Sequence, residues 1–261
     1  MTLVPIAGRL RGELRTLRFG TPVTHVYDPL DYAWSPHELY LRRFGAAPRE
    51  IVLLGMNPGP WGMMQTGVPF GTVSIVRDWL GIEAKVNRPT HEHPARPIHG
   101  FGCRREEVSG LRLWGWAGEQ FGTADRFFER FFVANYCPLG FLEASGRNRT
   151  PNKLPAQERL PLFALCDRAL KETVAYLKPR WLIGVGRFAE SRAKEVALNM
   201  GVTIGHIPHP SPASPEANSG WAAQCTRRLK ALGIQFPFDK KPAKALARRT
   251  GLVLQKPHGG P

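Results

Sequence analysis

Four short apolar segments, separated by longer stretches with helical periodicity, constrain the fold of this chain most strongly. Each segment is followed by Gly, Pro or Asn, as expected of a short strand that is buried on both faces. Strands are predicted at residues 51–54, 131–134, 181–185 and 202–207, and helices at 157–177, 188–200 and 218–232. This alternation predicts an α/β protein with a parallel sheet covered by helices on both faces.

The charge of the chain limits its partners. Lys and Arg number 36 against 21 Asp and Glu, so the formal net charge is +15. A globular protein this basic usually binds a polyanion. Nucleic acid is favoured over an anionic membrane surface, because no basic amphipathic helix with an aromatic face stands out.

Nothing in the sequence indicates secretion or a membrane span. Residues 1–15 lack the apolar run of a signal peptide, and no stretch approaches the roughly 20 apolar residues that a span requires. The expected location is therefore the cytoplasm. The four cysteines are Cys103, Cys137, Cys166 and Cys225. They are widely spaced and form no C-x-x-C pair, which favours free thiols over a zinc or iron–sulfur site.

Composition divides the chain into a body and a tail. Residues 1–236 are predicted to form a single domain, in which the Pro-, His- and Gly-rich segment 87–110 is a functional loop. Residues 237–261 contain six Lys or Arg and one Asp, a net charge of +5. This tail is expected to be a mobile basic arm, which either binds DNA or is only solvated.

Polar side chains follow three of the predicted strands, at the edge where open α/β sheets bind ligands. The first strand leads into the Gly- and Pro-rich segment 55–71, which presents Asn57 and the aromatic ring of Phe70. The second strand leads into Asn135, and the fourth into His209. Each residue could be structural when taken alone, as a turn or core side chain bonded to backbone.

Three other chemistries fit the sequence less well. Residues 184–189 match the dinucleotide pattern G-x-G-x-x-A, but no acid follows at the ribose-binding distance, so a close strand-to-helix turn is expected. Ser211 as a nucleophile lacks the G-x-S-x-G elbow. A metal site is not expected, because the spacing of the candidate ligands fits no known site: His91, His93, His99 and Cys103.

The strand-end residues suit cleavage of a pyrimidine N-glycosidic bond. They include no carboxylate, whereas glycosidases that act on sugars need a carboxylate pair. Uracil leaves as a fairly stable anion, so Asn57 need only position the water, and His209 can donate to the charge on the base. Asn135 offers a donor and an acceptor to the pyrimidine edge, and Phe70 can stack on an extruded ring.

These segments resemble the uracil-DNA glycosylase superfamily, and within it a bacterial-type member of the single-strand-selective monofunctional group. The signature segments are G-M-N-P-G-P-W-G-M-M-Q-T-G-V-P-F-G at 55–71 and H-P-S-P at 209–212. Supporting stretches are E-H-P-A-R-P-I at 92–98, N-Y-C-P-L-G-F at 135–141, S-G-R-N-R-T-P at 145–151 and P-E-A-N-S-G-W at 215–221. The resemblance implies a three-layer α/β/α fold, and a monomer without metal, cofactor or lyase activity. It also implies uracil and 5-hydroxymethyluracil in single- or double-stranded DNA as substrates.

The resemblance implies roles for individual residues. Asn57 would position the water, His209 would stabilise the leaving base, and Asn135 and the backbone of Met56 would contact uracil. Phe70 would stack on the base, and Gly59 would leave room near its C5 atom. A DNA-binding wedge is implied for Pro210, Ser211, Pro212, Ala213, Ser214, Pro215 and Asn218.

The wedge departs from the family at one position. Vertebrate members carry Arg where this chain has Ala213, so the resemblance does not extend to how the wedge would fill a duplex.

A glycosylase fold that binds DNA without chemistry is the alternative function. The presence of both Asn57 and His209 favours the enzyme, because a pure binder needs neither.

Overall fold

Apolar strands form the centre of the molecule in the computed structural model, which describes residues 2–236. The strands are β1 (Val23–Tyr27), β2 (Ile51–Gly55), β3 (Phe131–Asn135), β4 (Gly140–Glu143), β5 (Asn148–Arg149), β6 (Trp181–Val185) and β7 (Thr203–Ile207). The helices are α1 (Leu3–Leu14), α2 (Pro29–Tyr32), α3 (Trp34–Phe44), α4 (Met63–Thr66), α5 (Val108–Phe121), α6 (Ala124–Phe128), α7 (Ala156–Leu177), α8 (Arg187–Ala197) and α9 (Trp221–Ala231). The loops between residues 2 and 236 contain a π-helical turn (Ile75–Trp79) and three 3-10 turns (Gly100–Gly102, Pro151–Lys153 and Pro215–Ser219).

The central sheet is parallel, with the strand order β3-β2-β6-β7. Every residue of β2 and β6 is buried, because helices cover both faces of the sheet. In the register, Ile51 lies opposite Phe131 and Trp181. The predicted α/β class and all four predicted strands are confirmed, with shifts of one residue at their ends.

Two groups of helices flank the sheet. In one group α7 packs on α1 and α8, and in the other α5 packs on α6 and α9. The second group rests on an aromatic cluster in which Trp116 contacts Phe121, Phe127 and Phe131 edge to face. Each such pair contributes about 0.5–1.5 kcal/mol beyond the burial of its area.

The predicted helix at 218–232 begins later than expected. Asn218 belongs to a 3-10 turn (Pro215–Ser219), and Gly220 has φ +88°. Glycine adopts this left-handed backbone readily, so the chain turns there and α9 starts only at Trp221. The helix predicted to end at residue 200 stops at Ala197 and is followed by a turn with Gly201 at φ +68°.

A second, antiparallel sheet was not predicted from the sequence. Its strand order is β1-β4-β5, and β4 continues directly from the loop that follows β3. The predicted loop 87–110 is also shorter than expected, because α5 starts at Val108. The β4–β5 hairpin brings Asn148 beside the turn after β2, where the Asn148 amide nitrogen donates to the carbonyl of Pro58 at 3.1 Å.

Three further sequence predictions concern the basic tail, the cysteines and possible membrane-spanning helices. The basic arm at 237–261 lies outside the described residues, so its separation from a domain at 1–236 stays a prediction. All four cysteines lie within the described residues, where they are buried and form no disulfide. No helix within residues 2–236 is both long and apolar enough to cross a membrane.

Candidate active site

The turns after β2 and β3 are joined by backbone hydrogen bonds that extend the parallel ladder. The N–H of Tyr136 donates to the carbonyl of Gly55, and the N–H of Cys137 donates to that of Met56, both at 2.9 Å. The residues beyond these strand ends are therefore held in a fixed register. This places Met56 and Asn57 next to the turn that begins at Asn135.

Asn57 is half-buried and its amide has a defined orientation. Its Nδ2 donates to the carbonyl oxygen of Leu139 at 3.3 Å, in the turn after β3. This bond leaves the Oδ1 atom of Asn57 as a hydrogen-bond acceptor. The side chain can therefore hold a water molecule through one O–H group of that water.

Asn135 has a buried amide oxygen without a partner. Its Nδ2 contacts the sulfur of Met63 at 3.2 Å, whereas its Oδ1 is enclosed and accepts no hydrogen bond. Leaving a buried acceptor unsatisfied costs about 1–3 kcal/mol, so the site is prepared for a ligand that donates to it. The N3–H group of uracil is a donor of this kind, whereas N3 of cytosine is an acceptor.

The ring of Phe70 packs against the same strand end. A Cβ atom on Gly55 would overlap the Oδ1 of Asn135 and lie 2.6 Å from the Phe70 ring, so only glycine fits at the end of β2. Phe70 itself has φ +56°, a conformation that costs a non-glycine residue of order 1–3 kcal/mol. Such strain is typical of functional sites, and here it brings an aromatic face beside the amide of Asn135.

His209 follows β7, and its surroundings favour the neutral imidazole. Its Nδ1 accepts a hydrogen bond from the N–H of Ser211 at 3.1 Å, which places the ring proton on Nε2. Burial lowers the pKa of His209 to about 4, so the imidazole is uncharged at physiological pH. The ring centroid lies 6.2 Å from that of Phe70, and Nε2–H remains available as a donor.

The glycines of the G-x-G-x-x-A segment have packing roles. A Cβ atom on Gly184 would overlap the backbone nitrogen of Glu190, so this glycine lets α8 approach β6 closely. Gly186 has φ +92°, and a Cβ atom there would lie 3.2 Å from Cβ of His209. The segment thus forms the predicted close turn and supports the histidine.

The predicted wedge is tied to the body by Arg112, which sequence reasoning missed. Arg112, on α5, donates through Nη1 to the carbonyl of Pro210 at 2.9 Å, and Pro210 is buried. Asn218 closes the loop by donating through Nδ2 to the carbonyl of Pro212 at 2.9 Å. The exposed members of the wedge are Pro212, Ala213, Pro215 and Asn218, while Ser211 and Ser214 are half-buried.

Glu107 brings a carboxylate to the site, although none was expected there. Its Oε2 accepts a hydrogen bond from the N–H of Trp61 at 3.2 Å, and its carboxyl fills the space where a side chain on Gly59 would lie. Burial raises the pKa of Glu107 to about 7, against the opposing effect of the Trp61 and Gly62 N–H groups. Gly59 therefore makes room for a carboxyl group of the protein itself.

Glu107 should make the stability of the protein depend on pH. Between pH 5 and pH 7 the unfolded state releases this proton while the folded state retains it, so stability falls as pH rises. The free energy of unfolding of the parent, relative to Glu107→Gln, should decrease by on the order of 2–3 kcal/mol between pH 5 and pH 8. Urea denaturation of both proteins at both pH values measures this difference, and an unchanged difference would show that Glu107 has an ordinary pKa.

The histidines of segment 87–110 are not gathered around a metal-binding position. Nε2 of His93 lies 3.1 Å from the carbonyl oxygen of Ala144, and its Nδ1 accepts from the N–H of Ala95 at 3.0 Å. His91 and His99 are exposed. Within residues 2–236, no three His, Cys, Asp or Glu side chains are grouped so that they could hold a metal ion.

Comparison with known protein families assigns the chain to a family. The model of the Uracil DNA glycosylase superfamily matches residues 43–230. The chain is 50% identical over 228 residues to a rat single-strand selective monofunctional uracil-DNA glycosylase, covering 87% of this chain and 82% of the relative. The identity to the cattle protein of that name is 49%, over 87% and 84% of the two chains.

A solved structure shares the fold. The crystal structure of Pedobacter heparinus SMUG2 aligns with a TM-score of 0.64 and 17% sequence identity, covering 89% of this chain and 97% of the other. At this identity the likeness shows a common architecture. It agrees with the predicted arrangement of a short parallel sheet between layers of helices.

Proposed function

Because the chain belongs to the uracil-DNA glycosylase superfamily, we propose that it hydrolyses the bond between uracil and deoxyribose in DNA and so starts base-excision repair. The relatives at 49–50% identity carry the names of monofunctional uracil-DNA glycosylases, which supports hydrolysis without strand cleavage. The buried, unpartnered Oδ1 of Asn135 beside the ring of Phe70 carries the proposal best. This pair matches the edge and the face of an extruded pyrimidine.

The reaction follows from the atoms that surround such a ring. The N1–C1′ bond breaks with its electron pair on the base, which leaves an oxocarbenium-like sugar and a uracil anion. Nε2–H of His209 donates to the charged O2 atom of the base, and the water held by Oδ1 of Asn57 attacks C1′. The water oxygen forms the new bond to C1′, its proton passes to solvent, and the uracil anion takes up a proton after release.

A neutral histidine suits this step. A charged imidazolium would donate more strongly, but burial in this site disfavours it. A preorganised neutral donor costs no proton transfer and no reorganisation at the moment of bond cleavage. The site needs no carboxylate pair, because the leaving base carries the charge.

The finer features of the substrate belong to the same proposal. The base is extruded from the strand before cleavage, since an enzyme cannot reach C1′ while the base is stacked. Uracils with a small group on C5, such as 5-hydroxymethyluracil, would bring that group toward the turn that contains Gly59, where the carboxyl of Glu107 occupies the space beside the glycine. We further propose that the protein acts as a monomer on single- and double-stranded DNA in the cytoplasm.

Excision of uracil tests the function. The purified protein, with EDTA present, should convert a uracil-containing oligonucleotide into an alkali-labile abasic product, and the same oligonucleotide with thymine should stay intact. Cleavage without alkali would indicate lyase activity. Binding of the oligonucleotide without release of uracil would favour the alternative, a DNA-binding module on a glycosylase fold.

Asn135→Asp should relax the discrimination against cytosine. The amide oxygen and nitrogen of Asn135 match the N3–H donor and the O4 acceptor of uracil, whereas a carboxyl group at this position can match the donor amine of cytosine. We expect cytosine release to become detectable and uracil release to slow by about 10-fold or more, from the loss of one hydrogen bond. Release of both bases from matched oligonucleotides measures this, and unchanged selectivity would remove Asn135 from the pocket.

A further inference from the structure

Two arginines lie against the indole ring of Trp61, close to the turn that carries Asn57. The guanidinium carbon of Arg105 is 4.5 Å from the ring centroid, and that of Arg96 is 5.4 Å from it. Trp61 is itself half-buried, and its backbone N–H donates a hydrogen bond to Oε2 of Glu107. We call these three residues, Trp61, Arg96 and Arg105, the Arg–Trp surface.

The arginines of this surface have no acidic partner. Thirteen of the 24 arginines within residues 2–236 form ion pairs, among them Arg9, Arg11, Arg42, Arg130, Arg149 and Arg192. Neither Arg96 nor Arg105 has a carboxylate within 4.0 Å in this part of the chain. The two glutamates next to Arg105 in the sequence are engaged elsewhere. Glu106 accepts from the hydroxyl of Thr72, and Glu107 accepts from Trp61.

The surrounding segment concentrates positive charge at this place. Residues 85–105 contain five Lys or Arg and one Glu, a net charge of +4. Packing against an indole face restricts a guanidinium group, and a planar guanidinium matches the oxygens of a phosphate. In Arg96, Nη1 also donates to the carbonyl of Ala95 at 2.8 Å, which further fixes the side chain. Nε of Arg96 is also enclosed and without a partner in this structure.

We propose that the Arg–Trp surface binds phosphates of the DNA strand that flanks the extruded nucleotide. This inference rests on the proposed function, since it takes DNA as the substrate. Trp61 and Asn57 lie in one Gly- and Pro-rich turn, so a strand that enters the site passes this surface within a few residues of the reacting bond. The contacts do not depend on a complementary strand, and a single strand can make all of them.

The salt dependence of binding tests the proposal. Each phosphate contact on a single strand contributes about −0.7 to the slope of log K against log salt. For Arg96→Gln/Arg105→Gln on a single-stranded oligonucleotide, the magnitude of this slope should therefore be lower than the parental magnitude by about 1.4. Arg105→Gln alone, at an exposed side chain, should reduce it by about 0.7, which keeps the test valid if the double variant folds poorly.

A matched control removes the same charge elsewhere. Arg126 and Arg227 are exposed, lie on α6 and α9, and have no carboxylate within 4.0 Å among residues 2–236. Arg126→Gln/Arg227→Gln should keep the parental slope. Equal slopes in the parent and the Arg96/Arg105 double variant would overturn the proposal, as would an equal decrease in the control.

The outcomes separate this proposal from the proposed function. With uracil-containing DNA, the double variant should lose kcat/KM through weaker binding, whereas Arg126→Gln/Arg227→Gln should keep the parental kcat/KM. If the parent is active and the variant keeps the parental slope, the proposed enzyme function stands and the phosphate-binding role of the Arg–Trp surface is refuted. A parent without excision activity would refute the function, while the slopes would still report on DNA binding.

Discussion

Replacing Asn57 by Ala should lower kcat for uracil excision by about 100-fold or more while leaving DNA affinity nearly unchanged. The amide of Asn57 is held by the carbonyl of Leu139, and its free Oδ1 orients the attacking water. Alanine removes this acceptor and lets the water occupy unproductive positions. Single-turnover kinetics on a uracil-containing single strand measure the loss, and fluorescence anisotropy measures the affinity.

The control for this variant is an exposed asparagine that lies away from the strand ends. Asn199→Ala, in the turn after α8, removes the same group and should keep the parental rate. The thermal unfolding midpoint of both variants should stay close to that of the parent. An Asn57→Ala protein as fast as the parent would refute the role of this residue in positioning the water.

Replacing His209 by Ala should lower kcat by about 100- to 1,000-fold, equivalent to about 2.7–4 kcal/mol of transition-state stabilisation. The loss reflects one preorganised donor, Nε2–H, which is fixed by the bond from Ser211 to Nδ1. Gln at this position can still donate and should restore part of the rate. His91→Ala, at an exposed histidine, is the matched control.

The pH dependence distinguishes a neutral from a charged histidine. A charged donor would lose its proton, and the enzyme its activity, as pH rises through an ordinary value near 6.5. Because the pKa of His209 is lowered to about 4, kcat should not fall between pH 5.5 and pH 7.5 for this reason. The profile should be recorded in Glu107→Gln as well, since burial raises the pKa of Glu107 to about 7. A decrease near pH 6.5 in both proteins would contradict a neutral His209.

The sequence predicts the central sheet and the main site residues for one physical reason. Residues that follow parallel strands meet at one edge of the sheet, so Asn57, Asn135 and His209 could be grouped without knowledge of tertiary contacts. The structure extends the hydrogen-bond ladder past β2 and β3, which fixes the first two of these residues relative to each other. Phe70 could be assigned to the same site because it lies in the Gly- and Pro-rich segment 55–71, which follows β2.

The sequence does not reveal partners that come from distant segments. Glu107 contacts Trp61 across 46 residues, and Arg112 contacts Pro210 across 98 residues. Neither side chain belongs to a periodic pattern or a motif of its own, because their positions depend on how α5 packs against the rest of the fold. The antiparallel sheet was missed for a related reason, since β5 has two residues and β1 lacks clear alternation.

A structure of the Asn57→Ala protein with a uracil-containing oligonucleotide is the most direct test of how the site works. We expect the uracil outside the base stack, its N3–H donating to Oδ1 of Asn135 and its O2 accepting from Nε2 of His209, both at about 2.7–3.2 Å. The ring should lie against Phe70. A uracil that remains stacked in the strand, or that binds out of reach of Asn135 and His209, would contradict the mechanism.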